Sequence, residues 1–525
     1  MKEKWSSRGA FILASIGSAV GLGNAWRFPG MCAKYGGGAF LIAYILCMVV
    51  LALPVLMSEI AIGRKTGASA PKAFRLMNKK GEAIGWCGVA SSLAILCYYA
   101  VVFAWCIIMC ILSFRFATDA SDAASASQVW SQAVGYADTT SLSGEGGDIK
   151  ILLVVCLITA WMLMYSCIRK GASRVSKVVK FTVFIPIVML IILAVKGFIN
   201  NPHLGEALSA LFIPKWRAFG NAELWIGAMC QAFYSLGIMF CVMITYGSYL
   251  KGHNNNIVTD SFIIAFSDLG VSILSGIVLF TTMYQSGYTV DNMTISGVQT
   301  AFFIYPQAIV GLSPYPVLNA IFGFIFYFML CTLAIDSAFS ELESSSHALS
   351  EKLKIPKNKM TLFLTIVCLI ISIIFITGAG PNFVDITDYF MNQVGLLFVG
   401  GAEVIFIGWI FKPDRVLDEI NKNTKKFKMS KWFYFLTIKF IIPISILTLI
   451  VFQIIGFVNT GFRYNPEYLL AVEIVFGWLV VFVVFTSWLM MKIYTKYSKR
   501  GRKIKSLEED EPSWDEIDQE VTNPE

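Results

Sequence analysis

Long apolar runs alternate with short polar and charged connections along the whole chain. A helix needs about 20 mostly apolar residues to cross a bilayer. By that measure the pattern predicts about twelve spans, near residues 9–32, 39–62, 86–117, 149–168, 175–199, 222–250, 257–285, 316–350, 358–378, 383–411, 432–458 and 466–494. The fold class predicted is an all-α polytopic membrane protein. Two spans are irregular. The first contains Gly17-Ser18-Ala19-Val20-Gly21-Leu22-Gly23-Asn24-Ala25-Trp26-Arg27-Phe28-Pro29. The sixth contains Gln231-Ala232-Phe233-Tyr234-Ser235-Leu236-Gly237-Ile238-Met239. Lipid-facing backbone cannot be left open, because each unpaired amide or carbonyl in hydrocarbon is costly. Both spans are therefore expected to break where protein and water surround them, exposing carbonyls and helix ends to a small polar solute. For Gly17–Gly23 close helix packing is the weaker explanation, since Asn24 and Arg27 need polar partners. For Gly36-Gly37-Gly38 packing and function stand level.

Composition agrees with the pattern. Of 525 residues, 56% are hydrophobic and 14% charged, a balance that excludes an ordinary soluble domain. The net charge of +8 is no nucleic-acid signal, because the basic residues are sorted by loop. Arg64, Lys65, Lys72, Arg75, Lys79 and Lys80 follow span 2, and Arg169, Lys170, Arg174, Lys177 and Lys180 lie between spans 4 and 5. Lys352, Lys354, Lys357 and Lys359 precede span 9, a further basic cluster joins spans 10 and 11, and Lys499 to Lys505 follow span 12. The 118–148 loop instead carries Asp119, Asp122, Asp138, Glu145 and Asp148. The positive-inside rule makes the basic loops and both termini cytoplasmic, in a multi-pass protein of the cell membrane. The first span lacks a small-residue cleavage site and reads as retained. The twelve cysteines show no metal-site spacing and read as buried and unpaired. Leu507–Glu525 is acidic and poor in apolar residues, and is expected to be a disordered tail. The Asn292-Met293-Thr294 sequon carries little weight. His203, His253 and His347 are far apart and no nucleophile–base pair is evident, so an enzyme is not expected.

The chain resembles the sodium-dependent neurotransmitter and amino-acid symporters, as a bacterial amino-acid member would. The resemblance rests on Gly21-Leu22-Gly23-Asn24, Trp26-Arg27-Phe28-Pro29, Gly36-Gly37-Gly38-Ala39-Phe40, Tyr98-Tyr99, the span 6 stretch, Asp336-Ser337-Ala338-Phe339 and Leu342-Glu343. These motifs run in order through spans 1 to 10. The family is itself the known example of two inverted five-span repeats with broken helices 1 and 6, and the interruptions here match it. The resemblance implies a transporter core over 1–411, two added spans over 412–498, and a cytoplasmic tail over 499–525.

It also implies two sodium sites. The first comprises the Ala19 carbonyl, Asn24, Ser235 and Asp268, completed by the substrate carboxylate. The second comprises the carbonyls of Gly17, Val20 and Leu333 with the side chains of Asp336 and Ser337. A lone serine often bonds back to its own helix turn, but that does not explain Asp336 beside it in an apolar span. Asp268 stands where most members have asparagine. Chloride-dependent members bind chloride through positions matching Tyr44, Gln231, Ser235 and Ser272. Either Asp268 replaces the anion, or chloride still binds and Asp268 is protonated during part of the cycle. Repulsion between an ionised aspartate and chloride in low dielectric favours the first reading.

Substrate binding is implied for Ala19, Gly21, Leu22, Gly23, Ile95, Tyr99, Tyr234, Ser235, Phe240 and Glu341, with Ala338 beside them. The amides of Leu22 and Gly23, at a helix start, and Tyr99 should hold a carboxylate. The carbonyls of Ala19, Tyr234 and Ser235 should take the amine. Monoamine transporters carry aspartate where Gly21 stands, so an amino acid is expected, with a hydrophobic or aromatic side chain. Gly237 replaces a serine and Met239 a frequent glycine, and both departures affect the span 6 break. Glu341 lies one turn past Ser337 on the same face. It either meets an indole or cationic side chain or points elsewhere, and both readings stay open. Arg27 and Asp388 match the outer gate, with Tyr99 and Tyr234 as an aromatic lid. Trp5 with Lys2 or Lys4 is expected to close the inside against Glu351. The function implied is sodium-coupled import of an amino acid by alternating access. A sodium-dependent amino-acid sensor without net transport is the alternative. Partners are a small-molecule amino acid and the lipid bilayer, not nucleic acid, and homo-oligomers are left open.

Overall fold

The computed structural model describes residues 3–517 apart from 170, 251–253, 288, 290–299, 425 and 510. Lys2, Lys170, His253 and the Asn292 sequon therefore lie outside the described residues. Among the described residues the chain is helical, with two isolated β-bridges, Gly37 to Pro214 and Ile149 to Thr377, as its only extended pairing.

Ten helices are long and apolar enough to cross a membrane. They are span 2 (Gly38–Thr66), span 3 (Lys79–Ala117), span 4 (Ile151–Ile168), span 5 (Ala172–Phe198), span 7 (Ile257–Gln285), span 8 (Pro316–Leu353), span 9 (Lys357–Ile376), span 10 (Gly380–Phe411), span 11 (Lys431–Asn459) and span 12 (Leu470–Tyr497). Span 1 is a bent pair, Arg8–Ala19 and Gly23–Lys34, at 51°. The short helices Ala222–Ser235 and Val242–Ser248 stand where the sequence places span 6.

The break in span 1 follows from its own residues. Ser7 caps the first half, its hydroxyl accepting from the Ala10 amide at 3.1 Å. Val20 turns extended (φ −80, ψ 100), so the helix ends at Ala19. The Gly21 amide then donates to Asn24 Oδ1 at 2.9 Å, a side-chain acceptor in place of the lost helical carbonyl. In span 6 the helix stops at Ser235, and Gly237, Met239 and Cys241 all take positive φ (60, 69 and 67) before it resumes. Left-handed backbone costs about 1–2 kcal/mol at each non-glycine residue. The Met239 amide is secured by Glu59 of span 2, whose Oε1 accepts from it at 2.5 Å.

Gly36-Gly37-Gly38 is a packing device. A Cβ on Gly37 would lie 1.9 Å from the Ala210 carbonyl oxygen, and one on Gly38 would lie 2.2 Å from that of Phe212. Spans 3 and 8 pack side by side at the centre. Spans 11 and 12 lie at the edge, with Leu447, Ile454, Phe482 and Met490 exposed as lipid-facing residues would be. All twelve cysteines are free, and none is fully exposed.

The described N-terminal segment and the described part of the tail meet one face, that of the basic loops: Glu3 pairs with Lys357, and Arg500 donates to the Leu353 carbonyl. The expected disorder of the tail is corrected for its described part. Lys499–Glu509 is a helix, and Trp514 is 2% exposed against Phe411, with ring centroids 5.0 Å apart. Charge docks it: Arg75 pairs with Glu508 at 2.5 Å and with Glu511, and Lys72 meets Glu511 at 2.7 Å. Burial pushes the Lys72 amine down, but Glu351 and Glu511 outweigh it and hold the amine above its ordinary value.

Candidate functional site between spans 1, 6, 7 and 8

The two breaks face one small cavity of about 30 Å³. Of the residues expected to bind substrate, Ala19, Gly21, Leu22, Gly23, Tyr99, Tyr234, Ser235, Phe240 and Glu341 all line it. Ile95 and Ala338 do not reach its surface: both are fully buried in the surrounding core. Sequence reasoning missed Ser18, Val242 and Ser340. The hydroxyls of Ser18 and Ser340 sit 2.8 Å apart, a pairing across spans 1 and 8 without a local sequence signal.

The backbone freed at Val20–Leu22 is oriented by polar side chains. The Leu22 amide donates to the Tyr99 hydroxyl at 3.4 Å, and Ser337 Oγ donates to the Ser18 carbonyl at 3.2 Å. Gly21 is pressed against span 8: a Cβ there would lie 2.5 Å from Ser337 Oγ and 3.2 Å from the Tyr99 hydroxyl. The first half of span 1 ends here with its negative pole and the second half begins with its positive pole. A cation and an anion are each favoured at one end of the break.

Asp268 of span 7 is the electrostatic centre. It is fully buried, and Tyr44 donates to Oδ2 at 2.9 Å. Ser235 Oγ lies 2.8 and 2.9 Å from its two oxygens. Asn24 Nδ2 donates to Oδ1 at 2.7 Å and to Ser272 Oγ at 2.8 Å. The structure thus brings together Asn24, Ser235 and Asp268 with the Tyr44 and Ser272 hydroxyls. Gln231, 0% exposed, has no hydrogen-bond partner for either amide atom.

A second oxygen cluster lies on the other side of the break. Asp336 is 2% exposed, and its Oδ1 has no partner. Its Oδ2 lies where a Cβ on Gly17 would come within 2.7 Å. Ser337 is beside it, bonded to span 1. A buried carboxylate with an orphaned oxygen, next to a helix end with free carbonyls, suits a hard cation. Glu341 Oε2 is likewise buried and unpartnered at the cavity wall.

A cavity of about 250 Å³ lies beyond the first and shares Leu22, Gly23, Tyr99 and Tyr234 with it, so the two tyrosines stand between them. Arg27 and Asp388 line this outer cavity, 4.0 Å apart. The Arg27 guanidinium also sits 5.0 Å from the Tyr234 ring centroid, and Asp388 accepts from Tyr98 at 2.9 Å and Asn392 at 2.8 Å. On the opposite side the arrangement differs from expectation. Trp5 is buried, its indole donating to the Tyr246 carbonyl at 2.9 Å and packing on Tyr246 and Tyr249. Glu351 takes no part: it accepts from the Ser69 amide and hydroxyl at 2.8 and 2.7 Å and pairs with Lys72 at 3.1 Å. Arg8–Asp260 (2.6 Å) and a Glu3–Lys357–Glu343 bridge stand there instead. Burial opposes charge on Glu3, but Lys357 more than offsets it and holds the carboxyl below its ordinary range.

A sequence profile described as the sodium:neurotransmitter symporter family matches residues 2–132 and 117–498. The chain belongs to the sodium:neurotransmitter symporter family. An uncharacterized sodium-dependent transporter of Methanocaldococcus jannaschii is 30% identical over 510 residues, covering 94% of this chain and 98% of its own. A bovine sodium- and chloride-dependent GABA transporter 2 is 28% identical over 455 residues (80% and 75%). A sodium-dependent serotonin transporter of Drosophila melanogaster is 28% identical over 489 residues (87% and 77%). As a family member the protein is a multi-pass, sodium-dependent membrane transporter of a small molecule, not an enzyme.

Proposed function

We propose that this symporter imports an amino acid, hydrophobic or aromatic in side chain, driven by two sodium ions through alternating access. The observation that carries the reading is the span 1 break, where freed carbonyls, the Leu22 amide bonded to Tyr99, and buried Asn24 line one cavity, with Asp268 behind the wall, accepting from Asn24 and Ser235. Ala19, Asn24, Ser235 and Asp268 offer oxygens to the first sodium, and the substrate carboxylate adds another. Gly17, Val20, Leu333, Asp336 and Ser337 offer them to the second. Because carboxylate and first sodium touch, each raises the other's affinity equally. Leu22, Gly23 and Tyr99 orient the carboxylate, and the carbonyls of Ala19, Tyr234 and Ser235 take the amine.

Gly21 favours an amino acid over an amine, since an aspartate there would collide with Ser337 and Tyr99. Glu341 selects among side chains through its unpartnered oxygen. Chloride is not required, because two of the groups that would hold it, Tyr44 and Ser235, already donate to Asp268, whose charge takes the anion's place. Arg27 and Asp388 gate the outer cavity, with Tyr99 and Tyr234 as the lid, and Trp5 and Arg8 close the other side. That side is cytoplasmic, by its excess of lysine and arginine. Residues 1–411 form the working core, and 412–498 add two peripheral spans.

A thermal-shift panel on the purified protein tests the reading, with each of the twenty amino acids, GABA and serotonin, in sodium and then in potassium. At least one apolar or aromatic amino acid should raise the melting temperature in sodium alone. Stabilisation by serotonin or GABA but by no amino acid would reject it.

A further inference from the structure

The structure holds a larger cavity away from the transport site, about 760 Å³, on the face of the basic loops. Its walls come from the start of span 3, the ends of spans 8 and 12, and the tail helix Lys499–Glu509. Among the described residues three carboxylates reach it, and each is paired with a cation. Glu82 meets Lys352 at 2.6 Å, Glu508 meets Lys352 at 2.9 Å and Arg75 at 2.5 Å, and Glu511 meets Arg75 and Lys72. Four lysines remain on its rim, Lys79, Lys80, Lys492 and Lys505, and among the described residues none of them has an ion pair. Lys492 is held over the Trp488 ring at 5.7 Å.

The floor is different in kind: Trp86, Trp488 and Met491 present aromatic and thioether surface. On span 12 the floor residues Trp488 and Met491 belong to the inward face, and the lipid-facing Met490 and Ile493, 66% and 57% exposed, to the opposite one. A site with a cationic rim and an apolar, tryptophan-lined floor fits an amphiphile with an anionic head. A soluble anion would use the lysines and leave the floor bare.

We propose that this cavity binds the headgroup of an anionic phospholipid of the phosphatidylglycerol type. The phosphate lies among Lys79, Lys80, Lys492 and Lys505, and the glycerol region rests on Trp86 and Trp488. Basic recesses between helices on this side of a membrane recognise lipid phosphates in this way.

Native mass spectrometry of the full-length detergent-solubilised protein tests it. The probes are dioleoyl phosphatidylglycerol, phosphatidylcholine with the same chains, and inorganic phosphate. The variant Lys79→Gln with Lys492→Gln is compared with Lys177→Gln with Lys180→Gln, an equal loss of charge on exposed lysines of span 5. The first pair should weaken phosphatidylglycerol binding about thirtyfold, from two phosphate-facing lysines. The span 5 pair should leave it unchanged, and phosphatidylcholine should bind weakly to all forms. Equal losses in both pairs, no loss in the first, tight phosphatidylcholine binding, or displacement of the lipid by inorganic phosphate would each overturn the proposal.

Discussion

Asp268 concentrates most of the chemistry that distinguishes this chain. In the proposed reading the buried carboxylate that accepts from Tyr44, Ser235 and Asn24 stands in for the chloride of chloride-dependent relatives. Uptake by the native protein should therefore be unchanged when gluconate replaces chloride. In Asp268→Asn the same replacement should lower uptake about tenfold, within the range of ordinary site-to-site coupling. Isotope uptake in the two buffers checks both. Glu341 makes a separate prediction. Its unpartnered oxygen at the cavity wall means that Glu341→Gln should reorder the preferred amino acids while keeping sodium dependence, read from competition assays. An unchanged order would remove Glu341 from the substrate contacts.

Among the elements, the breaks were the most legible feature of the sequence and the tail the least. Gly17 to Pro29 announced the first break because glycine, asparagine and arginine are expensive in a lipid-facing helix. Gly237 announced the second, whereas the left-handed turns at Met239 and Cys241 have no glycine to mark them. The turn at Met239 depends on span 2 instead, through Glu59, which the residue pattern did not single out. Glu59→Leu should leave the buried Met239 amide unpaired and cost about 1–3 kcal/mol. Glu59→Gln keeps an acceptor and should cost less, both read from melting temperatures with and without substrate. The tail misled because local composition cannot report docking to distant charges. Glu508 and Glu511 find Arg75 and Lys72 over four hundred residues away, and Trp514 finds Phe411 about a hundred away. Glu351 misled for the same reason, its charge being taken by Lys72 and Ser69 rather than by the N-terminal segment.

For the whole molecule, the ion pairs, rings and cavities lie in sequence across the fold. Arg27 and Asp388 stand over the Tyr99–Tyr234 lid, the small cavity lies beneath it, and Trp5 and Arg8 fill the opposite side. Exchange of these closures would carry substrate and sodium together. The membrane potential would add about 2.3 kcal/mol per 100 mV for each positive charge moved inward. The most direct measurement is amino-acid accumulation in proteoliposomes under an inward sodium gradient, with potassium or choline replacing sodium in turn. An apolar or aromatic amino acid should concentrate inside above its outside level in sodium, and collapse to equilibrium when the gradient is removed. Sodium-dependent binding without accumulation, or accumulation that persists in choline, would contradict sodium-coupled amino-acid transport by this site.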